Sequence, residues 1–378
     1  MALRVRILTG CQHSCRERTL PGVAGPLDCA ELLEAARRDV DRGRIPACSL
    51  AVFRHGEPVC VEAFGDATVD TRFHVYSATK PLVSSAVWIL IGEGLLDVAR
   101  PVADYVPEFG TNGKEAVTVE QVLLHTSGFP SAPMAPAEGA DPERRLRRLA
   151  SWHLEWEPGT RFVYHAGSAH WVLAELLHRL GGADFRDVIE QRVCRPLGLP
   201  RVLGLAPDDD AGIAPPTPLG PAGPTPEDTS LLTALAGPEG RAAGVPGGGA
   251  VMTAADLARF YSALLADPVG VWKPEVLVDA TGTIRCTFPD PLLGAPVNRT
   301  IGLVVAGDDG KHTMRYACFG AGVSPRAFGH AGAHGQVAWA DPATGLAFAY
   351  LQNGVDPDMY REGARAVIIA SKAAELVT

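Results

Sequence analysis

A long apolar segment between Thr79 and Leu96 limits the folds open to this chain more than any other feature. Hydrophobic residues recur there on nearly every side of a helix, and Gly92 and Gly94 do not end the pattern, because Leu95 and Leu96 continue it. A helix that is apolar all round is buried on all sides. The segment therefore predicts a buried helix inside a chain of 378 residues, long enough for one large domain or two closely packed ones.

Predicted strands and helices lie at both ends of the chain, around a helical middle. A helix capped by Asp28 precedes a β-hairpin over 47–53 and 59–64, and Thr253 is a predicted N-cap for a helix over 254–265. The remaining predicted elements are strands over 300–306, 314–319, 336–340 and 346–352 and a closing helix over 360–377. This order predicts an α+β fold with a helical insertion.

Three parts follow from these elements. Residues 26–97 and 236–378 are predicted to form an α/β domain, and residues 98–235 a mainly helical domain with long loops. Residues 1–25 lack periodicity and end in a Pro/Gly stretch, which predicts a poorly ordered arm. Residues 205–249 are rich in Pro and Gly, and so long a connection usually forms a wall or mobile cover of a binding site.

Composition excludes several classes of protein. The net charge of −9 argues against a nucleic-acid binder, and no apolar run approaches the ~20 residues of a membrane span. Eight irregularly spaced cysteines predict a reduced, cytoplasmic setting, and Arg4 and Arg6 leave no apolar segment for an export signal. Cys11 and Cys15 lack further ligands at a known spacing, so we expect no metal site.

The motif that points to chemistry is Ser77-Ala78-Thr79-Lys80, at the start of the apolar segment. Residues three apart share a helix face, so the Lys80 amine is placed to accept the Ser77 proton when burial holds it neutral. The helix N-terminus also offers backbone N–H groups to a developing oxyanion. The chain has no G-x-S-x-G, H-E-x-x-H, P-loop or dinucleotide fingerprint. Taken alone, S-x-x-K is a weak signal, since a serine near a helix start often precedes a lysine by chance.

A series of further motifs accompanies S-x-x-K along the chain. In chain order they are 73–80 (FHVYSATK), 94–97 (GLLD), 102–109 (VADYVPEF), 123–129 (LLHTSGF), 158–164 (PGTRFVY), 248–257 (GGAVMTAADL), 329–332 (GHAG) and 341–346 (DPATGL). Together they resemble the class C serine β-lactamases, D-Ala-D-Ala peptidases and family VIII esterases. The resemblance covers residues 28 to 375 in order. It implies a β-lactamase/transpeptidase-like fold, in which helices flank an antiparallel sheet and the site lies in a cleft beside a mainly helical domain.

The resemblance also implies roles for particular residues. Ser77 would be the acylated nucleophile, Lys80 its partner, and Tyr164 a phenolate or hydrogen-bonding base. The segment from His330 to Gly332 would be the third element, on a strand that lines the site. The oxyanion hole would be the backbone N–H groups of Ser77 and Ala333. No metal or organic cofactor is implied.

Two positions depart from the family pattern. The usual Tyr-x-Asn reads Tyr164-His165-Ala166 here, and His330 replaces the lysine of Lys-Thr-Gly. We expect His330 to titrate near neutrality, so that acidic substrates bind better toward about pH 6, and we expect weak β-lactam turnover. His330, Gly332, His165 and Ala166 are the candidate substrate-binding residues.

Alternatives remain open at this point. Read without the resemblance, Tyr164 is a packed aromatic and His330 a surface histidine, and we interpret His125 as structural. The favoured function is an esterase acting on small acyl esters. An acyltransferase of secondary metabolism is the alternative, ahead of a β-lactamase or peptidase and of a silent acyl-binding protein. Partners would be an ester, thioester or amide donor and a water, alcohol or amine acceptor, and no oligomeric state is predicted.

Overall fold

The apolar segment forms the central helix of the computed structural model, which describes residues 27–220, 234–315 and 318–377. A 3-10 turn over Tyr76–Thr79 leads into the α-helix Lys80–Gly92, and all of its residues except Ile91 are buried. The buried helix is therefore confirmed. The predicted arm over 1–25, with Cys11 and Cys15, lies outside the described residues.

The regular elements follow one another in the order that the sequence suggested. The α-helices are α1 Ala30–Asp41, α2 Lys80–Gly92, α3 Val119–Leu123, α4 Pro136–Ala140, α5 Pro142–Ser151, α6 Ser168–Gly181, α7 Phe185–Ile189, α8 Pro238–Ala243, α9 Ala254–Ala266, α10 Pro274–Gly282 and α11 Met359–Ala374. The strands are β1 Ala47–Arg54, β2 Glu57–Gly65, β3 Phe73–His74, β4 Thr217–Pro218, β5 Val251–Met252, β6 Val304–Val305, β7 Phe328–Gly329, β8 Val337–Asp341, β9 Leu346–Gln352 and β10 Gly354–Val355. The Thr253 cap is confirmed, since its hydroxyl accepts the Asp256 N–H at 3.1 Å.

One six-stranded sheet joins the two ends of the chain. Its strand order is β2-β1-β9-β8-β7-β6, and each neighbouring pair is antiparallel. The hairpin β1–β2 near the start pairs directly with β9 near the end, with Leu50 opposite Tyr350 and Ala51 opposite Ala349. This pairing confirms the predicted antiparallel sheet flanked by helices.

The two faces of the sheet bury side chains of different size. Because successive residues of a strand point to opposite faces, Leu50, Trp339 and Phe348 pack on one side with α1 and α11. Ala51 and Ala349 lie on the other face, in the cluster that contains α9 and α2. The short side chains of this second face leave room for the helices that hold the site.

The largest apolar cluster continues from the sheet through α2 into α6 and α7. The predicted domain boundaries at 97/98 and 235/236 therefore cross a continuous core, and they stay a prediction. No helix in the three described ranges combines the length and the apolar character needed to cross a bilayer.

Two predicted strands differ from the structure. Of residues 300–306 only β6 pairs with the sheet, because the preceding turn packs against the central helix, where the Trp88 indole N–H donates to the Ile301 carbonyl at 2.7 Å. A Cβ at Gly302, whose φ is +127°, would lie 2.4 Å from the Ser84 Cβ, so this turn needs glycine. The strand over 314–319 is wrong at every position that the structure describes. His312–Met314 form a 3-10 turn, residues 315, 318 and 319 lie in no strand, and residues 316 and 317 are outside the described ranges.

Candidate active site

The Ser77 hydroxyl lies at the entrance to the central helix, beside the Lys80 amine. Lys80 Nζ is 3.2 Å from Ser77 Oγ, as the spacing of three residues predicts. The same amine donates to the carbonyl oxygens of Ala166 at 2.8 Å and Gly247 at 2.6 Å. Three separate segments of the chain therefore fix the amine against the hydroxyl.

The backbone just before Ser77 adopts an uncommon conformation. Tyr76 has a φ of +46°, in the left-handed region that a bulky residue seldom enters. Its buried ring meets the His334 ring edge-on at 5.1 Å, and His334 has a φ of +59°. Such conformations persist only where surrounding packing imposes them, and they occur frequently at functional sites.

Burial controls the charge of Lys80. The side chain is 1% exposed, and removal from water lowers the pKa of the amine below its ordinary value. The nearby Tyr164 opposes this shift, whereas the positive charge of Arg299 adds to it. The amine is therefore disposed toward its neutral form, in which it can accept a proton.

Tyr164 joins this pair from a distant part of the chain. Its ring lies 5.0 Å from Lys80 Nζ and 4.9 Å from the centre of the His125 ring. On further sides lie His330, at 6.1 Å between ring centres, and the Arg299 guanidinium, at 5.3 Å from the ring. The structure thus brings together Ser77, Lys80 and Tyr164, the three residues to which the family resemblance assigned catalytic roles.

The third element approaches the nucleophile through its backbone. A Cβ at Gly332 would come 2.2 Å from the Val75 carbonyl oxygen, so only glycine permits this contact. Gly332 therefore positions the following residue instead of offering a side chain to substrate. The N–H groups of Ser77 and Ala333 have no acceptor among the described residues, and this leaves both available to an oxyanion.

The expectation that His330 titrates near neutrality is wrong. His330 is 1% exposed, and its Nδ1–H donates to the Ala331 carbonyl at 2.7 Å. Burial, followed by the positive charges of Arg299 and Lys80, holds the pKa of the imidazole well below its ordinary value. His330 is therefore neutral at about pH 6 and supplies no switchable positive charge to acidic substrates.

His165 and Ala166 have internal partners. His165 is wholly buried: its Nδ1–H donates to the Val163 carbonyl at 2.6 Å, and Nε2 accepts the Phe129 N–H at 3.1 Å. Burial lowers the pKa of this imidazole to about 4. His165 thus fastens one loop to the Tyr164 segment, while the Ala166 carbonyl holds the Lys80 amine.

Two neighbours of the site show how its walls are built. His125 is 1% exposed, and its Nδ1 accepts the His165 N–H at 3.1 Å, which agrees with its structural interpretation. Sequence reasoning missed Arg299, which is 1% exposed and contacts the rings of Phe162 and Tyr164. It lies in a stretch of ordinary composition outside the quoted motifs, so no local signal marked it.

Metal ligands do not cluster near these side chains. Within the part of the chain that the structure describes, no three His, Cys, Asp or Glu residues are grouped as a metal site requires. The Lys80 amine lies against Ser77, and a phenol and buried imidazoles surround that amine, a set of groups that suits proton transfer.

The fold is β-lactamase/transpeptidase-like, with helices on both faces of an antiparallel sheet and the S-x-x-K serine at the start of the central helix. The family model described as Beta-lactamase matches residues 32–372, and the chain belongs to this family.

Named relatives and solved structures agree with this membership. The chain is 29% identical to "Esterase/beta-lactamase LipL" of Mycobacterium tuberculosis over 355 residues, which cover 81% of this chain and 76% of that protein. It is 31% identical to "Esterase EstB" of Burkholderia gladioli, over 69% of this chain and 77% of that protein. The crystal structure of a family VIII carboxylesterase superposes with a TM-score of 0.75 at 25% identity, over 91% of this chain and 97% of the other.

Proposed function

We propose that this protein is a serine esterase that hydrolyses small, neutral acyl esters through an acyl-enzyme at Ser77. The observation that carries the proposal is the 3.2 Å contact between Ser77 Oγ and the amine of Lys80, a lysine whose burial lowers the pKa of that amine. The similarity to proteins named as esterases supports the same reaction.

Acylation begins when Lys80 Nζ accepts the Ser77 proton and Oγ bonds to the ester carbonyl carbon. The carbonyl oxygen becomes an oxyanion, which the N–H groups of Ser77 and Ala333 stabilise. The tetrahedral intermediate collapses as the bond to the alcohol oxygen breaks. Tyr164, whose ring centre lies 5.0 Å from Lys80 Nζ, relays the proton to this leaving oxygen.

Deacylation repeats these steps with water as the nucleophile. Water loses one proton, which Tyr164 relays to Lys80, and the water oxygen bonds to the acyl carbon. The bond from the acyl carbon to the Ser77 oxygen then breaks, and this oxygen takes the proton from Lys80. An alcohol or amine that replaced water would give acyl transfer instead of hydrolysis. The same assay, with such acceptors added, therefore distinguishes the two outcomes by their products.

The substrate class follows from the charges at the site. Neutral, buried His330 stands where the family's β-lactamases carry a lysine, and Ala166 lacks the amide of the usual asparagine. Both differences remove groups that would hold an acidic β-lactam. Small neutral esters need neither of them.

The test compares wild type with Ser77→Ala after incubation with p-nitrophenyl butyrate, using intact mass and the burst of p-nitrophenol. We expect an acyl adduct on wild type and none on the variant. Ser85→Ala is the matched control, because it removes another buried serine hydroxyl of the same helix, one that donates to the Leu82 carbonyl at 2.8 Å. An equal adduct on Ser77→Ala would place the nucleophile elsewhere.

A further inference from the structure

The backbone of Arg299 is held in place by hydrogen bonds from both its N–H and its carbonyl group to residues 285 and 286. Its N–H donates to the Cys286 carbonyl at 3.0 Å, and its carbonyl accepts the N–H groups of Cys286 at 3.1 Å and Arg285 at 2.8 Å. The side chain then runs inward and is 1% exposed. A guanidinium stays protonated at every pH at which the protein is folded, so this is a fixed buried positive charge.

The guanidinium lies against two aromatic rings of the site. Its carbon is 5.4 Å from the centre of the Phe162 ring and 5.3 Å from that of Tyr164. The Lys80 amine lies 5.0 Å from the same Tyr164 ring. A cation within about 6 Å of an aromatic face is attracted to it, so Tyr164 has two basic groups as neighbours.

The other groups that face Lys80 carry no positive charge. The carbonyls of Ala166 and Gly247 accept its hydrogen bonds, and the Ser77 hydroxyl is neutral. Three imidazoles face it from a loop, from α6 and from the third element, and burial holds each pKa well below its ordinary value: His125, His170 and His330. Within the three described ranges, Arg299 is therefore the cation that acts on Lys80.

We propose that Arg299 is a positioning residue of this site, whose fixed charge beside the Tyr164 ring disfavours a second cation at Lys80 on the same ring. This inference rests on the proposed acyl transfer through Ser77. Arg299 acts through Lys80, the group that accepts the Ser77 proton.

The proposal makes the pH profile the informative measurement. Like charges in a low-dielectric site repel, so a protonated Lys80 beside Arg299 is unfavourable, and the amine is free to accept the Ser77 proton at a lower pH. Removal of the charge lets Lys80 hold its proton to a higher pH. The acid limb of kcat/KM then moves upward, and activity is recovered when the pH is raised.

The experiment measures kcat/KM for p-nitrophenyl butyrate from about pH 5 to about pH 10 in wild type, Arg299→Gln and Arg299→Lys. We expect the acid limb of Arg299→Gln to shift upward by about one pH unit or more, with roughly tenfold lower activity near pH 7. Arg299→Lys replaces the guanidinium by an amine whose charge burial disfavours, so its acid limb should lie between those of wild type and Arg299→Gln.

Arg315→Gln is the matched control. Arg315 is also 1% exposed, and it donates to the Pro296 carbonyl at 2.8 Å and to the Asp309 carboxylate. Its loss disturbs the segment that carries Arg299 without removing the charge beside Tyr164. We expect a lower Tm and an unchanged acid limb.

Each outcome separates this inference from the proposed function. An acid limb that does not move in Arg299→Gln, or one that moves equally in Arg315→Gln, overturns the role of Arg299 even if Ser77→Ala is inactive. An active Ser77→Ala instead overturns the proposed function. If Arg299→Gln does not fold, Arg299→Met takes its place in the same comparison with wild type and Arg315→Gln.

Discussion

Buried charges serve different purposes in the helical region and at the site. In the helical region, Arg145 of α5 donates to the Glu175 carboxylate of α6 at 2.8 Å, and these side chains are 0% and 3% exposed. At the site, Lys80 and Arg299 are both basic, and an aromatic ring lies beside them. The first pair joins opposite charges, whereas the second brings two basic groups together, and Arg299 lowers the pKa of the Lys80 amine.

This difference shows how a buried charge that stabilises the fold can be distinguished from one that influences proton transfer. Opposite charges in contact keep both groups ionised and bind two helices together, and loss of either partner leaves an uncompensated charge. Like charges in a buried site shift a protonation equilibrium, which is what a general base requires. The first arrangement should therefore affect mainly stability, and the second mainly catalysis.

The largest effect is expected from Glu175→Ala. The variant leaves the Arg145 guanidinium buried without its carboxylate, which should lower the free energy of unfolding by about 3–5 kcal/mol. Urea unfolding measures this, and kcat/KM of the folded fraction should stay near that of wild type. The control is Glu143→Ala, which breaks an exposed pair with Arg147 and should cost less than about 0.5 kcal/mol. Equal losses in the two variants would contradict the structural role of the buried pair.

Next in size is the loss of the proton-transfer groups. Lys80→Met and Tyr164→Phe should each slow acylation by about 10²-fold or more, the usual scale for a positioned acid or base. Lys80→Met also removes a buried basic group from beside Arg299, so its free energy of unfolding should not fall as in Glu175→Ala. Stopped-flow release of p-nitrophenol gives the rates. A wild-type rate in Tyr164→Phe would assign the phenol a structural role.

The buried histidines give a smaller effect that depends on pH. Burial lowers the pKa of His165 to about 4, against 6.5 in the unfolded chain, so the unfolded state binds more protons between these values. The stabilisation is therefore present above about pH 6.5 and is lost as the pH falls toward 4, by roughly 2 kcal/mol at pH 5.

His165→Gln tests this dependence. The variant should lose less stability between about pH 7 and about pH 5 than wild type does, as urea unfolding at each pH will measure. The exposed His153 provides the control variant His153→Gln, which should keep the wild-type dependence. Identical slopes in wild type and His165→Gln would mean that this imidazole is not held neutral by the fold.

The smallest effect concerns His330. Because its imidazole is neutral, the ratio of kcat/KM for nitrocefin to that for p-nitrophenyl butyrate should change by less than about twofold between about pH 6 and about pH 8. The ratio cancels the pH dependence that Lys80 imposes on both substrates. A tenfold rise of the ratio toward pH 6 would show that His330 gains a proton near neutral pH, as expected from the sequence.

Local patterns predicted what depends on local geometry. Ser77 and Lys80 meet because a spacing of three residues places both on one helix face. Residues 346–352 were predicted with the bounds of β9, a strand in which every residue is buried. The strand predicted over 300–306 is too long, since only Val304–Val305 pairs with the sheet. The residues before it make a turn against α2, which is a contact between segments far apart in the chain.

Long-range features needed more than local patterns. Tyr164 was found only through the family resemblance, since no spacing rule connects it to Ser77. Arg299 is one of 29 arginines, and its role depends on how its segment pairs with Cys286 and packs on Tyr164. His330 was assigned an ordinary pKa because the sequence does not show its burial.

The three carbonyl and hydroxyl contacts of Lys80 have a consequence for how the chain folds. They come from residues 77, 166 and 247, so the site forms only when segments far apart in the sequence have docked. Contacts between distant segments close large loops and form slowly, whereas helices such as α6 form early. We expect the helical circular dichroism signal of a refolding chain to return before its esterase activity, and a chain cut between residues 166 and 247 to keep activity only while its two pieces stay docked.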